Sequence, residues 1–182
     1  MNDKSPFKID PKRSIFLNSG FTEKDANILI KQLYDLNLKD GPIFLQMNGS
    51  GGSFAGAKKL YDNIVISPNP VTGVVAGDAF SALAIVLQAC QKRYATKLSR
   101  FHLHYVSYPI TFNIQHNDNI LMLKDTVLKE LKLLRSNNEI LLKILATRIT
   151  SISRAKLEKL LNDETDLTPE QALELGLIDK II

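Results

Sequence analysis

The chain has a single cysteine, Cys90, in 182 residues. No internal disulfide and no multi-cysteine metal site can therefore form. It lies on the apolar stripe that follows Ser81, which suits a buried thiol. The sequence contains no run of about eighteen apolar residues, so no membrane-spanning segment is expected. Residues 1–12 are polar and contain no apolar core, so no signal peptide is expected there and a bacterial-type cytoplasm fits. Dense basic blocks are missing too. The formal net charge is +4, and the densest charged run, Lys129 to Arg135, is interleaved with leucines and includes Glu130. That pattern is a solvated helix face, and nucleic acid is not an expected partner. There are no internal repeats and no low-complexity stretch. What remains is 45% hydrophobic and 23% charged, enough for one domain with a sizeable core.

Short apolar runs alternate with helical patterns, which predicts an α/β fold. Strands are expected at 15–18, 43–47, 71–76, 93–95, 100–105 and 177–181. Helices are expected at 22–36, with Thr22 as N-cap and Asp25 in a capping box, and at 53–66, 81–91, 153–161 and 168–175. The last has Thr168 as N-cap, Pro169 at N1 and Gly176 as the stop. Between about 119 and 150 helical periodicity runs unusually long. Its stripe of Leu121, Leu128, Leu131, Leu134, Ile140, Leu141, Ile144 and Leu145 is broader than one small domain readily covers. It reads either as a core helix broken near Ser136-Asn137-Asn138 or as a projecting handle. Residues 1–12 read as a mobile arm before a single domain at 13–182.

Two consecutive strand-to-helix turns carry the chemistry. The first is Met47-Asn48-Gly49-Ser50-Gly51-Gly52, whose adjacent glycines can bare backbone N–H groups. The second is Gly77-Asp78-Ala79-Phe80-Ser81-Ala82, which sets a serine at a helix start. Free N–H groups and the helix dipole favour anionic oxygen at such places. Beyond them, Ser99-Arg100-Phe101-His102-Leu103-His104 is a strand with two histidines on one face. Serine, histidine and bare amides are the parts of an acyl-transfer site. Serine is also a common N-cap, and a strand histidine is more often structural, so these parts alone leave the role open.

In sequence order, these segments resemble the proteolytic subunit of the Clp proteases. Residues 47–52 resemble its Asn-Ser-Pro-Gly-Gly loop, residues 77–82 its Gly-x-Ala-Ala-Ser-Met turn, and Ser99 to His104 its Ser-Arg-x-x-x-His strand. Arg13-Ser14-Ile15-Phe16-Leu17 is similar to its first strand, and residues 170–179 to its C-terminal Glu-Ala-x-x-x-Gly-Leu-x-Asp, with Gln171 in place of glutamate. The resemblance runs from about Arg13 to Ile182. It implies a crotonase-like (ClpP-type) α/β fold of repeated β-β-α units with a long helical handle. It further implies a serine endopeptidase that cleaves unfolded proteins or peptides in an oligomeric chamber of stacked rings, with no metal or organic cofactor. The family also works with an AAA+ unfoldase ATPase, although residues 1–12 differ from its axial loop. Ser81 matches the family's nucleophile and His104 its general base. Gly52 and Ala82 match its oxyanion donors, through their backbone N–H groups. Glu164, twelve residues before Gly176, stands where the family has the aspartate of its triad.

Several alternatives stay open. His102 rivals His104, and Asp163 or Asp166 rivals Glu164. Asp78 puts a carboxylate where the family has a neutral residue, and Phe80, in place of alanine, is expected to crowd the substrate pocket. Tyr105-Val106 replaces the family's Gln-Pro. These departures motivate a second reading, a catalytically weak or inactive subunit with an assembly role. A third is a crotonase-type acyl-CoA enzyme, which uses similar paired amides.

Overall fold

The structure, a computed structural model, describes residues 7–18, 20–107, 109 and 119–182, with side chains in the last segment from residue 123. Leu121 of the sequence reading lies outside the described side chains. In chain order the elements are β1 (Ser14–Asn18), α1 (Glu23–Asn37), β2 (Ile43–Gly49), α2 (Phe54–Val65), β3 (Val71–Phe80), α3 (Ala82–Leu87), β4 (Lys92–Ala95), β5 (Arg100–Leu103), α4 (Asn119–Ala146), α5 (Arg154–Asn162), β6 (Thr165–Leu167), α6 (Pro169–Leu175) and β7 (Lys180–Ile181). A short 3-10 turn at Pro11–Arg13 precedes β1. Phe7, within the segment read as an arm, rests edge-on against Phe44 and Tyr94.

The strands form one mixed sheet among the described residues. β1, β2, β3, β4 and β7 run parallel in that order. β3 is the pivot. Its first half pairs with β4, and its second half turns to pair with β5. The switch is built at a register shift, where Met47 faces Val75 but Gly49 faces Ala79. Asn48 holds the bulge, its Oδ1 accepting the Asp78 N–H at 3.0 Å. Gly77, at φ +115, passes so close that a Cβ would sit 2.3 Å from that same oxygen. Only glycine fits there.

Helix signals were read correctly where caps exist. Thr22 and Asp25 form a reciprocal capping box. Thr168 does the same with Gln171, so the glutamine that departs from the family's glutamate keeps this role. Gly176 closes α6 in the left-handed conformation. Four expected bounds need correction, two of them strands that prove shorter: the one expected at 100–105 ends at Leu103, and the one expected at 177–181 is only Lys180–Ile181. The strand expected at 71–76 continues to Phe80, because the bulge at Gly77 lets it begin a second pairing. The helix expected to reach Gln91 ends at Leu87. Gln88, Ala89 and Cys90 tighten into turns, and the Gln91 N–H is drawn to Val71 O of the sheet. β6 was not foreseen, being three residues long.

α4 is continuous through Ser136-Asn137-Asn138, where a break was one reading. The asparagines instead serve tertiary contacts. Asn137 Oδ1 accepts from Lys58 Nζ at 3.2 Å, and Asn138 Oδ1 from the Val106 N–H at 2.8 Å. The C-terminal half of α4 buries Leu141, Leu142, Ile144 and Leu145, whereas Leu128 and Leu131 remain 46% and 41% exposed. Cys90 is fully buried, and that burial pushes its thiol up to about 12. No helix among the described residues is long and apolar enough to cross a membrane.

Candidate active site

The two strand-to-helix turns lie against each other at the C-terminal ends of β2 and β3. The contact is tight: a Cβ on Gly51 would sit 2.8 Å from Ser81 Cβ and 3.2 Å from the Ala82 nitrogen. Ser81 opens α3 with φ +51 and ψ −118, and its side chain makes no capping bond. Its backbone is pinned by a 2.9 Å bond from the Ser81 N–H to His102 O. Ser81 and Glu164 are the two non-glycine residues at positive φ among those described. Such strain persists only where the surroundings over-determine it, and it clusters at functional sites. The strain therefore falls on the residues that sequence reading chose as nucleophile and acid.

Ser81, Ala82, Gly52 and His104 line one cavity of about 420 Å³. Ala82 is the first helical residue, so its N–H has no intrahelical acceptor. Gly52 bridges to Phe21, but that pairing runs through the Ser53 N–H, which donates to Phe21 O at 2.8 Å. The Gly52 N–H is not used in it. A Cβ on Gly52 would collide with Phe21 O at 2.0 Å, so the backbone approach demands glycine. The rest of the cavity wall is largely apolar, with Phe54, Ile85, Leu133 and Leu141 among its residues, and it includes Lys58 and Asn137.

The histidines are held differently. His104 Nδ1 lies 2.6 Å from Tyr105 O. A carbonyl can only accept, so Nδ1 carries the proton and Nε2 is left as the free acceptor, the state a general base needs. His102 Nδ1 instead pairs with Asp166 Oδ1 at 2.7 Å. The two imidazole rings are 5.4 Å apart, and Phe80 lies 5.7 Å beyond His102. Glu164 is exposed and does not line the cavity. Among the described residues, no hydrogen bond joins Ser81 to His104 or His104 to Glu164. Yet the antiparallel register pairs Phe101 with Leu167, His102 with Asp166 and Leu103 with Thr165. Carried one step further, it sets Glu164 opposite His104. Asp163 is engaged elsewhere, in an ion pair with Lys159.

Phe80 does not crowd the pocket as expected. It is absent from the cavity wall and packs between His102 and the Arg100 guanidinium. Asp78 is answered by Arg100 through two bonds of 3.0 and 2.8 Å, which hold the Arg100 guanidinium above its ordinary value. The sequence reading missed Lys58 and the role of Asn48, and it named His102 and Asp166 as rivals without pairing them. Lys58 had a signal, since it follows Phe54 by one helical turn. The role of Asn48 and the His102–Asp166 pairing had none, because they depend on a bulge and on β6. Among the described residues no group of three His, Cys, Asp or Glu side chains is placed to hold a metal ion.

Comparison with known proteins gives the family. Residues 6–182 match the family described as Clp protease. The chain is 28% identical to the ATP-dependent Clp protease proteolytic subunit 1 of Protochlamydia amoebophila, over 100% of this chain and 86% of the relative. It is 30% identical to the protein of the same name from Chlamydia pneumoniae, over 93% and 86%. It is 31% identical to that of Chlamydia abortus, over 96% and 88%. With its paired turns, strained serine and full-length match to that family, the chain belongs to the Clp protease family.

Proposed function

We propose that the chain is a serine endopeptidase of the crotonase-like, ClpP type, acting on unfolded proteins or peptides. The observation that carries this reading is the gathering of strained Ser81, His104 and the Gly52 and Ala82 amides around one cavity. Ser81 Oγ attacks the peptide carbonyl carbon while its proton passes to His104 Nε2. The Gly52 and Ala82 N–H groups hold the tetrahedral oxyanion. His104 then gives the proton to the leaving amine, and the acyl ester remains on Ser81. Water repeats the attack, with His104 again taking and returning the proton. Tyr105 O holds the Nδ1 proton in the resting arrangement. A small rotation of His104 turns that N–H toward Glu164, whose carboxylate accepts the hydrogen bond and stabilises the imidazolium without taking the proton. The substrate backbone lies extended beside Gly52, as an added strand.

The exposed leucines of α4 support a homo-oligomer of stacked rings, with the sites facing an enclosed chamber. Residues 13–182 form its single domain, and an AAA+ unfoldase ATPase is the partner that would feed it. A fluorophosphonate probe followed by peptide mapping tests the chemistry: one adduct is expected, on Ser81. No adduct would sink the peptidase reading in favour of an inactive assembly subunit. The specific observation on that side is that His104 Nδ1 is bonded to a carbonyl and not to an acid. Light scattering tests the assembly. A particle many times 20.4 kDa is expected, shrinking in Leu128→Glu with Leu131→Glu, and a monomer would refute it.

A further inference from the structure

The cavity beside Ser81 is not uniformly apolar. Phe54, Ile85, Val106, Leu133 and Leu141 supply most of its wall, yet Lys58 also lines it. Among the described lining residues there is no aspartate or glutamate to answer that lysine. Its ammonium gives one bond to a neutral partner, Asn137 Oδ1 at 3.2 Å, and lies 5.2 Å from the centre of the Phe54 ring. An ammonium carries three donors, so two stay open. Lys58 has no ion pair among the described residues, although Lys59 and Arg100 nearby are both engaged by side-chain acceptors. A half-buried cation with apolar neighbours and an amide partner lacks a counter-charge whenever a substrate closes the cavity and excludes water.

We infer that Lys58 makes this cavity select an acidic side chain, glutamate above all, at the residue whose carbonyl Ser81 attacks. The inference rests on the peptidase reading and names the substrate that reading leaves open. Glutamate has two methylene groups to lie along the apolar wall and a carboxylate to reach the ammonium. Leucine would fill the wall but strip water from Lys58 without replacing it, which is costly for a charge. Lysine would set like charges together. Glutamine is the sharpest comparison, because it has glutamate's shape with a neutral acceptor. Hydrogen bonds to charged partners are substantially stronger than neutral ones, so a preference for glutamate over glutamine of about tenfold or more is expected.

Peptidyl diphenyl phosphonates that differ only in this side chain test the inference. Ser81 Oγ forms a bond to phosphorus, the phosphorus–phenoxide bond breaks, and phenol leaves with the serine's proton. The rate of adduct formation, read by intact mass, reports the preference directly. In the wild-type protein the glutamate analogue should react fastest, then glutamine and leucine, with lysine slowest. Lys58→Arg should keep that order, Lys58→Met should bring glutamate down to or below glutamine and raise leucine, and Lys58→Glu should make lysine the preferred analogue. A reversed preference cannot arise from misfolding. Equal rates for glutamate and glutamine in the wild type, or an unchanged ratio in Lys58→Met, would overturn the inference while leaving the peptidase reading intact. No adduct with any analogue would overturn both.

Discussion

The turns that carry Ser81 and Gly52 are fixed by backbone, whereas the β5–β6 edge that carries the histidines is set by side chains. On the first side, Gly51 lies against Ser81 with no room for a methyl group. The Ser81 and Ser53 amides are bonded to backbone carbonyls of β5 and of Phe21. On the second side, β6 has three residues, and its outer carboxylate, Asp166, is 82% exposed. His104 bonds its own neighbour's carbonyl while His102 takes the visible acid. Backbone packing holds oxyanion donors to a fraction of an ångström without reorganisation, which is where electrostatic catalysis gains most. Side chains at a sheet edge can rotate, so in the proposed mechanism the relay is the part of the site that can be switched.

The largest effect tests the first side. Ser81→Ala should remove hydrolysis, by a factor on the order of 10⁶ as when the serine of a triad is lost. Its stability should barely change, because the side chain makes no capping bond and alanine meets the same positive φ as serine. Peptide turnover and a thermal melt measured together decide it. Turnover near the wild-type rate would mean that this strained turn serves only structure.

On the second side, His104→Ala should come close to that loss, while His102→Ala should retain much more activity. His104 lines the cavity with Ser81, and His102 does not. If His102→Ala proves the inactive one, the His102–Asp166 pair is the working relay and the site is offset by two residues along β5. Steady-state kinetics of the two purified variants would show which.

The acids give the next smaller effect. Glu164→Gln should lower kcat by on the order of 10⁴, as removal of a triad aspartate's charge does. Asp166→Asn should cost far less, acting only through the His102 ring. The reverse ranking would show that the hydrogen bond seen at rest is the catalytic one. Two mild phenotypes would show a Ser81–His104 dyad supported by the Tyr105 carbonyl.

The same contrast explains what could be read in the sequence. The Thr22–Asp25 capping box, the Thr168 N-cap and the Gly176 stop were legible, because each depends on residues within one turn of the chain, and the α/β alternation was legible from periodicity. So were Ser81, Gly52 and Ala82 as a group, since strand-to-helix turns align wherever parallel strands do. Glu164 could be chosen only by counting from Gly176, and its place opposite His104 could not be read at all. That place follows from β6, three residues whose strand character comes from lying beside β5 and not from any run of β-formers. Phe80 was misjudged for a similar reason. Its neighbours, Arg100 and His102, reach it through a register that begins beyond the Gly77 bulge.

The smallest effect separates fit from strain on the backbone-held side. Gly51 has φ +102 and Gly20 has φ +76, so alanine is strained at both. At Gly20 nothing lies within 4 Å of the added carbon, whereas at Gly51 it meets Ser81 Cβ at 2.8 Å and Phe80 O at 2.9 Å. Gly20→Ala should therefore lose about 1–2 kcal/mol of stability and keep its kcat. Gly51→Ala carries a similar strain but must also push the two turns apart, drawing the Gly52 amide away from that of Ala82. Loss of one oxyanion donor costs about 10²–10³ in kcat, and Gly51→Ala should fall in that range with KM little changed. Parallel melts and kinetics of the two variants make the comparison. If Gly51→Ala melts like Gly20→Ala and retains full kcat, the turns are more compliant than their packing implies, and the contrast between a fixed oxyanion side and an adjustable relay no longer holds.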